Sequence, residues 1–213
     1  MRSMFRATVL VASLALAGPV AAQADRLVPY AEFYFDADAS TAAPIVAQPG
    51  SGDAVVERLA RAIARNPRDV RATAQLAHLA MQGGRTELGL ELYARALGQV
   101  SDRDSAYRPL RWNYGWDLYR SGDAAGALAQ WRELLRGRSV TASWMPPTFA
   151  LALWTLGRRD EAVAWYSAAV RSEPAQWSSS DQHAALLPDW SPTELEILGQ
   201  VQQAWQENPP SWP

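Results

Sequence analysis

The chain has 213 residues, with 22 acidic residues, 20 arginines, no lysine and no cysteine, and its formal net charge is −2 at pH 7. A weakly acidic chain without a block of basic residues lacks the charge that nucleic acids and anionic membranes attract, so we expect neither as a partner. The absence of cysteine excludes disulfides, thiol catalysis and cysteine metal sites, so stability must come from a packed core.

The first residues follow the pattern of a secretory signal peptide. Arg2 and Arg6 precede an apolar run from Val9 to Ala17, and small residues follow it. The run is much shorter than the roughly 20 residues that cross a bilayer, and the small-x-small rule fits cleavage after residue 22 or residue 24. We therefore expect residues 1–22 to be a signal peptide, no stable membrane span, and a protein exported to the periplasm or secreted.

Residues 23–52 combine an extended aromatic segment with a linker rich in proline, glycine, serine and alanine. The aromatic side chains are those of Tyr30, Phe33, Tyr34 and Phe35. We expect this strip to dock within the molecule, either over a first helix at 54–65 or into the groove introduced below. A chain that starts near residue 51 should then melt at a lower temperature or expose tryptophan to a quencher.

Three segments of the chain repeat one pattern, and a fourth copy precedes them with its front missing. The three segments are GRTELGLELYARAL (84–97), GDAAGALAQWRELL (122–135) and GRRDEAVAWYSAAV (157–170). Each has a glycine, then a small residue five positions on, then an aromatic residue four further, as in Gly122, Ala127 and Trp131. The copies lie 34, 38 and 35 residues apart, and such a period is typical of stacked helix pairs.

This pattern resembles the tetratricopeptide repeat, whose signature is W-x2-L-G-x2-Y, then A-x3-F, then P over about 34 residues. The second half of the signature is matched by Ala127-x3-Trp131 and by the equivalent stretch from Ala162 to Tyr166. The first half is degenerate, because Tyr114-Gly115-x2-Leu118 fits in character while Arg111 stands where the leading Trp belongs.

The resemblance covers roughly residues 53–174 and implies an all-α, right-handed solenoid of helical hairpins. The expected units are a half repeat at 53–67 and repeats at 70–101, 108–139 and 143–174. Gly83-Gly84, Gly122 and Gly157 stand where the first helix of a pair must end on a left-handed residue. An irregular helical bundle with coincidental spacing is the alternative.

The C-terminal residues 175–207 should cap this array with a pair of helices. Ser191, Pro192 and Glu194 occupy the N-cap, N1 and N3 positions of a capping box that opens the second of these helices. A short helix near 180–187 precedes it and is stopped by Pro188. The proline-rich tail 208–213 cannot be helical.

In the family that the repeats resemble, the first helix of each pair lines a concave groove and the second forms the outer surface. Within 108–121, Trp112, Trp116 and Tyr119 share one helical face, displaced from the core positions. The resemblance therefore places these three in the groove, with Asn113 and Arg120 at their border. The neighbouring first helices contribute Arg71, His78, Met81, Trp144, Leu151 and Trp154. The second-helix and capping aromatics, Tyr93, Trp131, Trp165, Tyr166 and Trp205, are expected to be packing residues.

A groove of aromatic and arginine side chains, with little lysine or glutamate, has the composition of interface hot spots. Together with the resemblance, it favours a non-catalytic scaffold or adaptor that binds a protein or peptide of the cell envelope. Two alternatives stay open. The groove could be filled by the protein itself, or it could stack on cell-wall glycans, for which Asn113 and Gln75 offer amides while Asp117 is expected to point elsewhere on its helix.

The sequence contains no constellation that points to catalysis, a metal or a cofactor. The two histidines, His78 and His183, lie more than a hundred residues apart, and neither belongs to an H-E-x-x-H or H-x3-H motif. No G-x-S-x-G, P-loop or G-x-G-x-x-G motif occurs. We therefore expect neither an enzyme nor a cofactor-binding protein.

Overall fold

In the computed structural model of the protein, residues 26–29, 37–136 and 142–211 are described. The longer helices are α1 (Asp53–Arg65), α2 (Val70–Gln82), α3 (Thr86–Leu97), α4 (Tyr107–Arg120), α5 (Ala124–Glu133), α6 (Met145–Thr155) and α7 (Arg159–Ser172). They are followed by α8 (Pro174–Trp177), a 3-10 turn (Ser180–Gln182), α9 (His183–Leu186) and α10 (Pro192–Glu207). These ranges contain no β-strand. The expected signal peptide and the aromatic strip at Tyr30, Phe33, Tyr34 and Phe35 lie outside the described residues.

The helices pack as hairpins of sequence neighbours. The closest partners are α2 with α3, α4 with α5, and α6 with α7. Each hairpin packs against the first helix of the next: α2 and α3 against α4, and α5 against α6. The first helix, α1, packs on α2, while α10 covers both helices of the last hairpin. The predicted fold class is confirmed: this is an all-α helical-hairpin solenoid of tetratricopeptide type, closed by a C-terminal capping helix.

A glycine with positive φ reverses the chain inside each hairpin. The φ angles are 72° at Gly84, 95° at Gly122 and 74° at Gly157, a left-handed conformation that L side chains rarely adopt. In each turn the next residue's N–H returns to a carbonyl near the helix end, as from Asp123 to Leu118 at 2.9 Å. The glycines expected to end the first helices thus form repeated C-terminal caps.

Small residues on one helix of a hairpin receive large rings from the other. A Cβ on Gly115 would lie 2.2 Å from the indole nitrogen of Trp131, so only glycine allows α4 and α5 to approach this closely. The prediction that second-helix aromatics pack inside is confirmed for four of the rings, which are 0 % exposed: Tyr93, Trp131, Trp165 and Tyr166.

The capping helix is built as its sequence indicates. The side chain of Ser191 accepts the N–H of Glu194, and the Glu194 carboxylate in turn accepts the N–H of Ser191. Its own Leu198 and Val201 are fully buried. The single short helix predicted near 180–187 is instead a 3-10 turn followed by one turn of α-helix, α9.

Candidate functional site

The first helices α2, α4 and α6 line one face of the solenoid, and a pocket of about 450 Å³ opens on it. Its floor comes from these helices, one side from residues 42–44, and the other side from the loop 186–190 after α9. We call it the groove pocket. Its lining includes His78, Gln82, Trp112, Asn113, Trp116, Asp117, Arg120, Trp144, Thr148 and Trp190.

Four indoles, Trp112, Trp116, Trp144 and Trp190, form an aromatic wall along this pocket. The Trp112 and Trp144 ring centroids lie 4.5 Å apart. The Trp116 ring lies 5.7 Å from that of Trp112 and 5.2 Å from that of Trp190, nearly perpendicular to the first and steeply inclined to the second. The wall is mostly packed, because Trp116 is only 8 % exposed and Trp144 only 7 %. Trp190 was not expected here, since it follows the short helix α9 and belongs to no repeat position.

Residues 37–49, which we call the strap, occupy the neighbouring part of the groove. In chain order, the strap bonds first to Trp144 just before α6, then to α4, then to α2 and last to α1. At α2, the buried side-chain oxygen of Gln75 accepts the N–H groups of Ala47 and Gln48 at 2.7 and 2.8 Å. The Gln75 amide nitrogen donates to the carbonyl of Gln48 at 2.7 Å. One side chain thus satisfies three main-chain groups of an extended segment.

Other side chains of the solenoid also bind the strap through its main chain. The Asn113 amide donates to the carbonyl of Ala43 at 2.9 Å, and Arg58 donates to the carbonyl of Pro49 at 2.7 Å. Arg71 makes a longer bond, 3.4 Å, to the carbonyl of Val46. The strap is therefore held in the way that a groove holds a bound peptide.

The strap begins with a buried carboxylate. Asp38 is 9 % exposed, and its Oδ2 accepts from Arg108 Nη2 at 3.1 Å and from Trp144 Nε1 at 3.2 Å. Arg108 also donates to the Thr41 hydroxyl at 2.9 Å and to the Leu134 carbonyl at 3.0 Å. Sequence reasoning missed Arg108, because it lies one turn before the aromatic face of α4.

A second buried carboxylate lies beside the pocket. Asp117 was expected to point elsewhere on its helix, but it lines the pocket and is 5 % exposed. His78 Nδ1 donates to it at 2.9 Å and the Tyr93 hydroxyl at 2.5 Å. Burial, and then the charge of Asp117, raise the pKa of Tyr93 well above its ordinary value of 10.0, so the hydroxyl keeps its proton. The three groups tie α2, α3 and α4 together.

Six of the eleven predicted groove residues line the pocket: His78, Trp112, Asn113, Trp116, Arg120 and Trp144. Two of the others lie in the core instead. Met81 is 8 % exposed because its side chain fills the space over Gly89, and Leu151 is 0 % exposed in the main hydrophobic cluster. Met81 thus stands on the side of α2 that faces its hairpin partner α3.

The remaining predicted residues are engaged elsewhere. Trp154 donates to Gln200 on the capping helix at 3.0 Å, and the Tyr119 hydroxyl bonds Thr155 at 2.8 Å. Arg71 lies under the strap rather than in the pocket. Arg120, which does line the pocket, is also tied to the cap, because its guanidinium bonds Glu194 at 2.9 Å.

Residues 26–29 contact the solenoid through the second helices. Leu27 is 8 % exposed, its carbonyl accepts from Trp165 Nε1 at 3.1 Å, and its N–H donates to Glu161 at 2.5 Å. Burial alone would raise the pKa of Glu161, but the bonds from Arg158 and Leu27 outweigh it and lower the pKa. The residues on both sides of the aromatic strip are thus held by the solenoid.

Over the described ranges, no three His, Asp or Glu side chains group in a way that could hold a metal ion. In the same ranges, none of the helices has the length and apolar character needed to cross a bilayer.

Comparison with known proteins gives a match to a protein family. The family model described as tetratricopeptide repeat matches residues 53–106, which span α1, α2 and α3. Neither the curated proteins nor the solved structures include a match. The matched quarter of the chain supports the tetratricopeptide family, and the hairpins that follow, α4 with α5 and α6 with α7, repeat its geometry.

Proposed function

We propose that this protein is a non-catalytic scaffold or adaptor of the cell envelope, and that its groove holds an extended segment of a partner protein. Tetratricopeptide repeats generally mediate interactions between proteins, and this chain has their hairpin architecture. The observation that carries the proposal is the strap. The groove side chains Gln75 and Asn113 already bind the main chain of an extended segment.

The groove pocket supplies the rest of the surface. Its volume of about 450 Å³ falls in the range of roughly 300–1,000 Å³ that is usual for ligand sites. Indoles with an arginine beside them are the side chains that dominate protein interfaces, and Arg120 lies 4.8 Å above the Trp116 ring. The envelope location is supported by the signal pattern at residues 1–22.

Site-specific crosslinking in cells tests this function. Gln82 is exposed and lines the pocket, so a photoreactive residue there should capture one defined envelope protein. Glu87, exposed on the second helix α3, is the matched control on another helix of the same hairpin. Equal capture from Gln82 and Glu87, or no capture from Gln82, would contradict a groove-borne partner.

Glycan binding is the second candidate, because four indoles and several polar groups surround the pocket. The polar groups are mostly committed within the protein, however: Asn113 binds the strap and Asp117 binds His78 and Tyr93. A tryptophan-fluorescence titration with cell-wall fragments decides between the two. Saturable quenching by a glycan, with no protein captured from Gln82, would replace the scaffold proposal.

A further inference from the structure

We propose that the strap is a built-in competitor for the groove, and that the partner which displaces it is a peptide carrying an acidic residue at the start of a tight turn, like that of residues 38–42, and an aliphatic residue seven positions later. The acidic residue would replace Asp38 on Arg108 and Trp144, and the aliphatic one would replace Ile45. This inference rests on the proposed function, since it requires the groove to bind peptides.

The middle of the strap contributes mainly main-chain contacts. Its carbonyls and N–H groups bond to Asn113 and Gln75, whereas the Val46 side chain is 53 % exposed. Main-chain bonds of this kind are available to any extended segment. They give affinity without fixing the sequence, so a partner segment of different sequence can make the same bonds.

Two strap side chains do carry specificity. The Asp38 carboxylate is buried on a guanidinium and an indole N–H, and charge-assisted bonds of this type are the strong ones. Ile45 is 9 % exposed and packs in the hydrophobic cluster that contains Tyr93 and Leu110. An anchored carboxylate and an anchored aliphatic side chain, seven residues apart, define the sequence that a competing segment needs.

The solenoid itself positions the carboxylate site. Arg108 Nη1 donates to the carbonyl of Leu134 at the end of α5 at 3.0 Å, a bond that does not involve the strap. Trp144 is held in the aromatic wall by Trp112. Both donors therefore stay oriented when Asp38 leaves, and they present a ready site for another carboxylate.

The backbone at both ends of the strap also favours its release from the groove. Asp38 has a φ of 43°, a left-handed conformation that costs free energy in any residue other than glycine. At the other end, Gly50 and Gly52 have φ angles of 100° and 73°, and these two glycines around Ser51 give the strap a pivot before α1. Strain at one end and a pivot at the other suit a segment that exchanges.

A labelled peptide with the strap sequence ADASTAAPIVAQP, followed by fluorescence anisotropy, tests the proposal on the full chain. In the unaltered protein the tethered strap is present at millimolar effective concentration, so the peptide should bind weakly. Asp38→Asn should tighten peptide binding by about tenfold or more, because the strap loses its charge-assisted bonds. Asp102→Asn, an exposed loop carboxylate, is the matched control and should change nothing.

Two further substitutions, one in the peptide and one in the protein, test whether the peptide occupies the carboxylate site. A peptide with Asn in place of its single aspartate, which corresponds to Asp38, should bind the Asp38→Asn protein about tenfold more weakly. Adding Arg108→Gln to that protein should have a similar effect. Unchanged binding in either case would show that the peptide does not use the carboxylate site and would overturn the proposal.

The movement of the strap itself can be measured without weakening it. Because the chain has no cysteine, Ala39→Cys gives a single labelling position on the exposed side of the strap, next to the residue that bonds Trp144. A bimane label there is quenched by nearby indole and should brighten when excess peptide displaces the strap. Peptide binding with no brightening would mean that the two segments do not compete, and would overturn the proposal even if Asp38→Asn failed to fold.

The inference and the proposed function fail separately. If Gln82 captures an envelope protein but neither the Asp38→Asn protein nor the label responds to peptide, the scaffold stands and the competitor is wrong. If the peptide responses occur but Gln82 captures nothing, the strap competes as proposed while the assigned function is wrong.

Discussion

Successive residues of α4 serve the core and the groove in turn. Gly115 lies against Trp131 of the partner helix, while the next two residues, Trp116 and Asp117, line the pocket. The aromatic wall is therefore backed directly by the hairpin contact. A change in the spacing of α4 and α5 would move the binding surface as well as weaken the core.

Gly115→Ala tests this contact. A methyl group at this position would overlap the Trp131 ring, and we expect an overpacking cost of about 1–3 kcal/mol, reduced by the gain in helix propensity of up to about 1 kcal/mol. Urea denaturation should show a net loss of stability. The matched control is Gly199→Ala on α10, where an added Cβ meets nothing within 4 Å and the propensity gain should appear alone. Equal effects of the two substitutions would argue against the close approach.

At the scale of elements, the short helix α9 is fastened to α7 by a histidine with one defined tautomer. The Tyr166 hydroxyl donates its proton to the carbonyl of Trp177 at 2.7 Å, so it can only accept from His183 Nε2, 2.9 Å away. Nδ1 then carries a lone pair, and it is buried with no hydrogen-bond partner among the described residues. A second proton on this ring would have no acceptor in that part of the chain.

This arrangement makes the contact between α9 and α7 sensitive to acid. Burial lowers the pKa of His183 below its ordinary value of 6.5, although the charge of Asp181 acts in the opposite direction. Because the folded protein favours the neutral ring, the stabilisation is complete above pH 6.5 and is lost as the pH falls through the lower folded pKa. Melting temperatures measured from pH 8 to pH 5 should fall, and His183→Gln should flatten that dependence. An equally steep profile in the variant would assign the effect to other groups.

The repeats made most of the helices predictable. A glycine, a small residue and an aromatic residue at fixed spacing specify a turn, a close crossing and a filled gap, and all three are local. The capping box at Ser191 and Glu194 was predictable for the same reason. Met81 and Leu151 were misplaced because the resemblance alone put them in the groove, whereas packing buries Met81 over Gly89 and Leu151 in the main hydrophobic cluster.

The strap was not predictable from any pattern. Most of its residues are small or prolines, without a helical or strand period. Its contacts join groups far apart in the chain, such as Asp38 and Trp144. Trp190 was missed because it belongs to a loop, and Asp117 because its partners, His78 and Tyr93, come from two other helices. In each case the deciding bonds are long-range.

At the scale of the whole molecule, the strap adds contacts between parts of the solenoid that are not neighbours in the array. Among the described residues, the main contacts of each hairpin are with its neighbours along the array, whereas residues 27–29 and 37–49 bond to helices from α1 to α7. The predicted docking of the strip at Tyr30, Phe33, Tyr34 and Phe35 stays a prediction, since those residues are not among the described ones. Its flanks nevertheless link the ends of the array.

Removal of the chain before residue 50 should therefore lower the stability of the whole solenoid. Without Asp38, Arg108 loses its carboxylate partner, and Ile45 no longer covers its cluster. We expect the melting temperature to fall by several degrees and the indoles of the aromatic wall to become more accessible to acrylamide. Removal of residues 208–213, whose described part is exposed, is the control. An unchanged melt and unchanged quenching after the N-terminal removal would show that the strap contributes nothing to stability.

The bond from Trp165 to the carbonyl of Leu27 joins residues 138 positions apart in the chain. A solenoid of local hairpins can fold stepwise while its chain is still being made, because each pair needs only its neighbour. The N-terminal contacts cannot form in that order. Leu27 and Asp38 are synthesised first, yet they wait for α7 and for Trp144. Contacts of such long sequence separation slow folding, so we expect these two anchors to form after the strap has bound Gln75 and Asn113, and to be the last N-terminal contacts made.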